Sequence, residues 1–142
     1  MVNQLAVAGA VIGVICFVHA LFIALGAALL RNARKRRSRP NILSETFALL
    51  ASSLWLCVAH AIEIGLWGGA FLRLGIFSDL EPAMYFSAVS YTTLGFGDVI
   101  LDEPWRLLSG ACAASGLLMF GLSAAFLLAT VTTLDLSPDD TP

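Results

Sequence analysis

Charged residues are nearly missing from three long stretches of this chain. Residues 1–30 contain no Asp, Glu, Lys or Arg, residues 46–72 contain only Glu63, and residues 107–134 contain none. A helix needs about 20 mostly apolar residues to cross a bilayer, so each stretch is long enough. With 58% hydrophobic and 13% charged residues, the composition excludes an ordinary soluble domain and predicts a membrane protein.

Cysteine is also scarce, and the N-terminus has no basic leader. The three cysteines, Cys16, Cys57 and Cys112, lie one in each apolar stretch. An odd count without close spacing argues against a disulfide framework and predicts small buried apolar side chains. The first apolar run exceeds the roughly 7–15 residues of a signal peptide, so we expect it to stay as a helix.

Basic residues are concentrated in one short segment, residues 31–39. It holds six of the eight Lys and Arg residues: Arg31, Arg34, Lys35, Arg36, Arg37 and Arg39. Short basic loops remain cytoplasmic, which predicts a multi-pass protein of the inner (cell) membrane with its N-terminus outside and its C-terminus cytoplasmic. Anionic lipid is the expected partner of Arg34, Lys35, Arg36 and Arg37. Nucleic acid is not an expected partner, because no soluble nucleic-acid fold surrounds the segment.

Proline, glycine and short polar segments divide the chain into elements. We predict a transmembrane helix over residues 1–31, a basic cytoplasmic loop over 32–43 in which Pro40 ends that helix, and a second helix over 44–74 capped by Ser44. A half-helix over 82–92 starts at Pro82. A third long helix follows over 105–134, and a short cytoplasmic tail over 135–142. The predicted fold class is an all-α membrane protein with three transmembrane helices and a re-entrant segment between the second and the third.

The re-entrant segment ends in the sequence TLGFGD, residues 93–98. Glycine adopts positive φ at little steric cost, so Gly95 and Gly97 predict an unusual backbone. Bare backbone at membrane depth is tolerated only where protein covers it or where it lines a water-filled cavity. The segment is therefore expected either to line a pathway or to be covered by other protein.

Thr93, Leu94, Gly95, Phe96 and Gly97, followed by Asp98, resemble the selectivity filter of small bacterial tetrameric potassium channels. The order of elements over residues 44–134 also resembles that family: outer helix 44–74, pore helix 82–92, filter 93–98 and inner helix 105–134. The first helix lies outside the resemblance.

The resemblance implies a homotetramer that conducts K⁺ passively through a four-fold filter. K⁺ would bind oxygens of Thr93, Leu94, Gly95 and Phe96, and no enzyme activity or cofactor is expected. A non-selective cation channel and a non-conducting scaffold or regulatory subunit with the same fold remain alternatives.

Two positions depart from the family pattern. Phe96 stands where tyrosine is usual, and Val89 stands where some relatives place a glutamate that pairs with the acid after the filter. Asp98 therefore needs another partner or faces water. Three side chains are candidate partners: Ser90, Tyr91 and Trp67.

The third helix carries candidate cavity and gate residues. The resemblance places Gly116 at a gating hinge, Gly121 at a second small position, and Leu117, Phe120 and Ala124 on the cavity face. The alternative is that the glycines only allow close helix packing in lipid. The first helix lacks the spaced arginines of a voltage sensor, and eight residues after Leu134 are expected to be too few for a ligand-binding domain.

Three titratable residues, His19, His60 and Glu63, lie deep in the predicted spans. His60 and Glu63 are three residues apart and share a helix face, and His19 falls at a similar depth. Ionisable groups in a membrane usually face protein or water. They form either a proton-sensitive network behind the pore or a structural fastening of the first helix; a metal site is disfavoured, since HxxE lacks the HExxH arrangement.

Overall fold

The computed structural model describes residues 2–35 and 41–133. Its elements are α1 (Val2–Lys35), α2 (Ile42–Arg73), α3 (Leu80–Tyr91), a 3₁₀ turn (Glu103–Trp105) and α4 (Arg106–Thr133). The described residues form helices and no strand, and α1, α2 and α4 with its preceding turn are long and apolar enough to cross a membrane. The predicted all-α fold class is confirmed. At about 1.5 Å per residue the three helices measure roughly 42–51 Å, more than the hydrocarbon thickness of about 30 Å.

The start of α2 differs from the prediction. Asn41 has extended backbone angles (φ −137°, ψ 134°), and its side-chain oxygen accepts a hydrogen bond from the Leu43 amide at 3.3 Å. Ser44, predicted to be the cap, lies inside the first turn, where its hydroxyl donates to the Asn41 carbonyl at 2.8 Å. The prediction was wrong because asparagine and serine cap helices about equally well, and sequence spacing did not distinguish them.

The short helix α3 packs against both α2 and α4. Its Phe86 ring meets the fully buried Phe71 ring of α2 edge-on, with centroids 5.3 Å apart. Trp67, one turn earlier on α2, is also fully buried, and its indole N–H donates to the Ser115 hydroxyl of α4 at 3.0 Å. These contacts fix the direction of α3 between two long helices, and hence the point at which α3 ends.

The first helix packs against both α2 and α4. Ala8, Ile15 and His19 are buried and lie on one face of α1, whereas Phe17 on another face is 70% exposed. The Trp55 indole of α2 donates to the Phe22 carbonyl at 2.8 Å. The helix is therefore joined to α2 and α4 through one side and leaves an apolar side free for lipid.

One of the three cysteines departs from the expectation of burial. Cys112 is buried and Cys16 is half-buried, but Cys57 is exposed on α2. The lipid-facing side of a membrane helix is as apolar as its packed side, so a small apolar side chain is tolerated on both.

The basic end of α1 borders a groove against α4. Arg31, Arg34 and Lys35 line a groove of about 460 Å³ together with Phe126 and Ala129. Arg36, Arg37, Arg39, Pro40 and the tail 135–142 lie outside the described residues. Contact of the basic segment with anionic lipid stays a prediction.

Candidate functional site

The chain leaves the end of α3 through a tight series of backbone hydrogen bonds. The Thr92 amide donates to the Ala88 carbonyl at 3.0 Å. The Leu94 and Gly95 amides both donate to the Val89 carbonyl, at 3.0 and 3.2 Å. The last turn of α3 therefore anchors the segment that follows it, and Val89 takes part through its backbone rather than its side chain.

Positive φ occurs at every second residue of this segment. The angles are 59° at Thr93, 57° at Gly95 and 78° at Gly97. A backbone that alternates in this way can turn successive carbonyl groups toward one axis, which is how a row of oxygens replaces the hydration shell of an ion. The conformation thus has the regularity that ion coordination by main-chain oxygens needs.

Thr93 is the one non-glycine residue with positive φ among the described residues. The left-handed conformation costs an L-residue about 1–2 kcal/mol, and a β-branched side chain there is an outlier. The Thr93 amide donates to the Ser90 carbonyl at 3.0 Å, which holds this conformation. Strain of this kind is typical of functional segments. Sequence analysis attributed positive φ to the glycines alone and missed Thr93.

The segment is uncovered in a single chain. All residues from 92 to 98 are exposed, including Leu94 at 57% and Phe96 at 65%. Bare backbone at membrane depth needs protein or water around it, so at that depth the segment would have to be covered by other protein or line a water-filled path.

The acid that ends the segment has a partner that sequence analysis did not name. The Tyr85 hydroxyl donates to Asp98 Oδ2 at 2.6 Å. The predicted partners Tyr91 and Trp67 bond elsewhere, to Glu63 and to Ser115 respectively. Among the described residues, the hydrogen bond of the Asp98 side chain is with Tyr85 and not with Ser90. The bond spans thirteen residues and ties the far end of the segment back to the side of α3, which compensates for the lack of an acid at Val89.

Removing the charge of Asp98 is expected to change the titration of Tyr85. The hydrogen bond to the carboxylate raises the pKa of Tyr85 above its ordinary value of about 10. The hydroxyl therefore stays the donor at neutral pH, and the bond is lost only as pH rises through the raised pKa. In Asp98→Asn, Tyr85 should ionise at lower pH, measured by the ultraviolet absorbance of tyrosinate. Asp102→Asn is the matched control, and identical curves for Asp98→Asn and wild type would contradict the bond.

Behind the segment lies a buried polar network of five side chains: His19, His60, Glu63, Tyr91 and Ser123. His19 Nδ1 lies 2.8 Å from Glu63 Oε1, and the Tyr91 hydroxyl donates to Glu63 Oε2. His60 Nδ1 lies 3.1 Å from the Tyr91 oxygen and 3.3 Å from Glu63 Oε2. Ser123 Oγ lies 3.0 Å from His60 Nε2 and 3.3 Å from His19 Nε2.

The network joins all four helices close to the segment. It takes one residue each from α1, α3 and α4 and two from α2. His19 and Glu63 are fully buried, and His60 is 12% exposed. Tyr91 is the last residue of α3 and stands two positions before Thr93. Of the described buried side-chain polar atoms, none lacks a hydrogen-bond partner.

Sequence analysis grouped only three of the five members. His19, His60 and Glu63 were selected because they are titratable, and the structure brings them together. Tyr91 and Ser123 carried no such signal, because tyrosine and serine are common in helices of every kind. The signal that was available for Tyr91 is its position at the end of the half-helix, directly before the two threonines.

Three network members come close enough together to hold a metal ion. Ligand atoms of His19, His60 and Glu63 all lie within 4.8 Å of one another. The same atoms already form hydrogen bonds with each other and with Tyr91 and Ser123. No feature of the described residues favours a metal over these bonds, so we treat the group as a hydrogen-bonded network.

The candidate gate residues of α4 lie on two different faces. Gly116 is buried, and a Cβ added there would overlap the Tyr91 carbonyl. Leu117, Phe120, Gly121 and Ala124 are exposed in the protomer. The centroids of the Phe120 and His60 rings are also 4.3 Å apart. The surroundings of Gly116 therefore support the packing alternative, while the other four residues lie on a surface open to neighbours or water.

Comparison with known proteins gives one family and two relatives. A protein family described as "Ion channel" matches residues 51–133, more than half of the chain. The chain is also similar to the voltage-gated potassium channel regulatory subunit KCNG3 of Rattus norvegicus and of Homo sapiens, each 26% identical over 104 residues. The match covers 72% of this chain but 24% of the rat and 23% of the human protein, so the chain spans about a quarter of their length. No solved structure gives a significant match.

Proposed function

The chain belongs to this family of ion channels, and we propose that four copies of it form a potassium-selective channel in the cell membrane. The observation that carries the proposal is the alternation of positive φ at Thr93, Gly95 and Gly97 directly after a half-helix. Main-chain oxygens of residues 93–97 would bind dehydrated K⁺, and the Thr93 hydroxyl would add an oxygen at the inner end.

A tetramer follows from the number of oxygens that one chain can supply. A single backbone strand can contact an ion from one side only, and potassium filters combine four such loops around an axis. The segment is exposed in the protomer, as are Leu117 and Leu128 of α4, at 66% each. In the proposed ring, neighbouring chains cover these surfaces, and Leu117, Phe120 and Ala124 line an apolar cavity below the filter.

The proposed orientation places the N-terminus outside and the C-terminus in the cytoplasm. Arg31, Arg34 and Lys35 lie exposed at the last turns of α1. Short basic segments stay on the cytoplasmic side of a membrane, so α1 would run inward, α2 outward and α4 inward again. The half-helix and the filter then enter from the outer side.

A non-conducting regulatory subunit is the second candidate function. Both relatives carry the name of a regulatory subunit of a potassium channel. A chain of that kind would keep the fold and contribute a filter segment to a mixed tetramer without forming a channel by itself.

Flux through reconstituted protein tests the proposal. Purified protein in liposomes is expected to pass K⁺ at least about tenfold faster than Na⁺, a difference of about 1.4 kcal/mol, and barium should block the flux. Empty liposomes and barium-treated proteoliposomes serve as controls. Equal K⁺ and Na⁺ flux would replace the proposal with a non-selective cation channel, and no flux from assembled tetramers would favour the regulatory subunit.

A further inference from the structure

In the usual protonation states of its side chains, the polar network behind the filter has one hydrogen-bond contact more than it has donor protons. Five contacts connect its members: His19 with Glu63, Tyr91 with Glu63, His60 with the Tyr91–Glu63 pair, His60 with Ser123, and Ser123 with His19. Each contact joins two nitrogen or oxygen atoms and needs one proton between them.

The donors can be counted from the chemistry of the side chains. An ionised carboxylate donates none, a neutral imidazole donates one proton, and each hydroxyl donates one. Two neutral histidines, Tyr91 and Ser123 therefore supply four protons for five contacts. The missing proton is at Ser123, because its hydroxyl has one proton but contacts the Nε2 atoms of both His19 and His60.

Changing the tautomer of either ring does not remove the deficit. If the His60 proton moves to Nε2, then Nδ1 has no proton toward the Glu63 carboxylate at 3.3 Å, while the Tyr91 proton already points to that carboxylate. If the His19 proton moves to Nε2, then Nδ1 faces the carboxylate at 2.8 Å without a proton. As long as the Glu63 carboxylate is ionised, any neutral pair of rings leaves two acceptors in contact.

We propose that this network is a binding site for one additional proton, which His19 and His60 share across Ser123. With that proton bound, one imidazolium donates to Ser123, Ser123 donates to the other ring, and all five contacts are filled. The imidazolium also neutralises the Glu63 carboxylate, which would otherwise be an uncompensated charge in an apolar region. The inference concerns the protomer and holds whichever ion passes through the filter.

Among the described residues, no other charged group contacts the network in a way that could take the place of the proton. The groups that face the network are His19 and Cys16 from α1, His60 and Glu63 from α2, Tyr91 from α3, and Ser123 and Cys112 from α4. The two cysteines contribute thiol groups and not basic side chains. Residues 2–30 and 107–133 contain no Lys, Arg, Asp or Glu, and residues 46–72 contain only Glu63.

The additional proton fastens the helices that surround the filter. The two contacts at Ser123 are the hydrogen bonds from α4 to the histidines of α1 and α2, and one of the two lacks a proton in the neutral count. Through His60 and Glu63 the same network holds Tyr91 at the end of α3. Without the proton, one of these two hydrogen bonds is missing, close to Tyr91, the residue that precedes the two filter threonines.

Nitrogen-15 NMR of histidine-labelled protein in lipid bilayers tests the site directly. The chain has two histidines, so four ring nitrogens are observed. At pH about 8.5, about two units above the ordinary imidazole pKa of about 6.5, the wild type is expected to show three protonated ring nitrogens. Two protonated nitrogens would overturn the proposal. A ring signal that is shifted by a bound metal and lost after chelation would also overturn it.

Glu63→Gln is the matched variant because its amide supplies the missing donor. The glutamine oxygen accepts from His19, its N–H donates to the Tyr91 oxygen, Tyr91 donates to His60 Nδ1, and His60 Nε2 donates to Ser123. All five contacts are then filled by two neutral rings, so the variant should show two protonated ring nitrogens. Three would contradict the proton count.

If Glu63→Gln does not fold, the number of protonated ring nitrogens in the wild type is enough to test the proposal. Neither measurement depends on flux, so failure of the proposed conduction and failure of the proton site are distinguishable.

Discussion

Replacing Gly97 with alanine is expected to abolish ion flux while the protomer still folds. Gly97 has φ +78°, and no atom lies within 4 Å of the position that a Cβ would take, so the effect is conformational rather than steric. Positive φ costs an alanine about 1–2 kcal/mol, or about 4–8 kcal/mol over the four chains of the proposed ring. A cost of about 4 kcal/mol corresponds to roughly a thousandfold fewer intact filters.

Gly75→Ala is the matched control for this substitution. Gly75 lies in the turn after α2, has φ +69°, and also has open space where a Cβ would be added. The backbone penalty is the same, but no carbonyl of this turn faces the proposed ion path. Potassium flux into liposomes should therefore be lost in Gly97→Ala and retained in Gly75→Ala. Equal loss in both variants would mean that general destabilisation, and not the filter, explains the result.

Replacing Gly116 with alanine is expected to have the largest effect on stability. The new Cβ would overlap the backbone carbonyl of Tyr91, which cannot move without shifting the end of α3. Overpacking of this kind costs about 1–3 kcal/mol or more per chain. We expect a lower melting temperature of the protein in detergent and a smaller yield of the proposed tetramer.

Gly121→Ala on the same helix is expected to raise the melting temperature instead of lowering it. No atom lies within 4 Å of the position that a Cβ would take at Gly121, and alanine is favoured over glycine inside a helix by about 0.5–1 kcal/mol. Comparing the two variants therefore distinguishes the effect of close packing from the general preference of a helix for alanine over glycine. A melting temperature of Gly116→Ala equal to that of the wild type would rule out the packing role and return Gly116 to the hinge interpretation.

The long elements could be predicted from the sequence because their signals are strong and local. Three apolar stretches with a single acid among them admit few interpretations other than membrane helices. Pro82 marks the first turn of α3, and the spaced glycines mark the unusual backbone after it. Each of these signals depends on residues within one element and needs no knowledge of neighbours.

The contacts between elements could not be predicted in the same way. The Tyr85–Asp98 bond depends on which side of α3 faces the returning chain, and a twelve-residue apolar helix does not reveal its orientation. Ser123 joins the polar network because α4 packs against both α1 and α2 at that depth. Positive φ at Thr93 is imposed by the hydrogen bonds around it, against the preference of threonine itself.

The pairing of Glu63 with His19 also bears on how the chain enters the bilayer. A helix with an acid at its centre is difficult to insert by itself, at a cost of about 2.5–3.5 kcal/mol. His19 lies 44 residues earlier in the sequence, on α1, which is synthesised before α2. The hydrogen-bond partner of the carboxylate is therefore already made when α2 emerges, and α1 and α2 can enter as a hairpin with the acid paired.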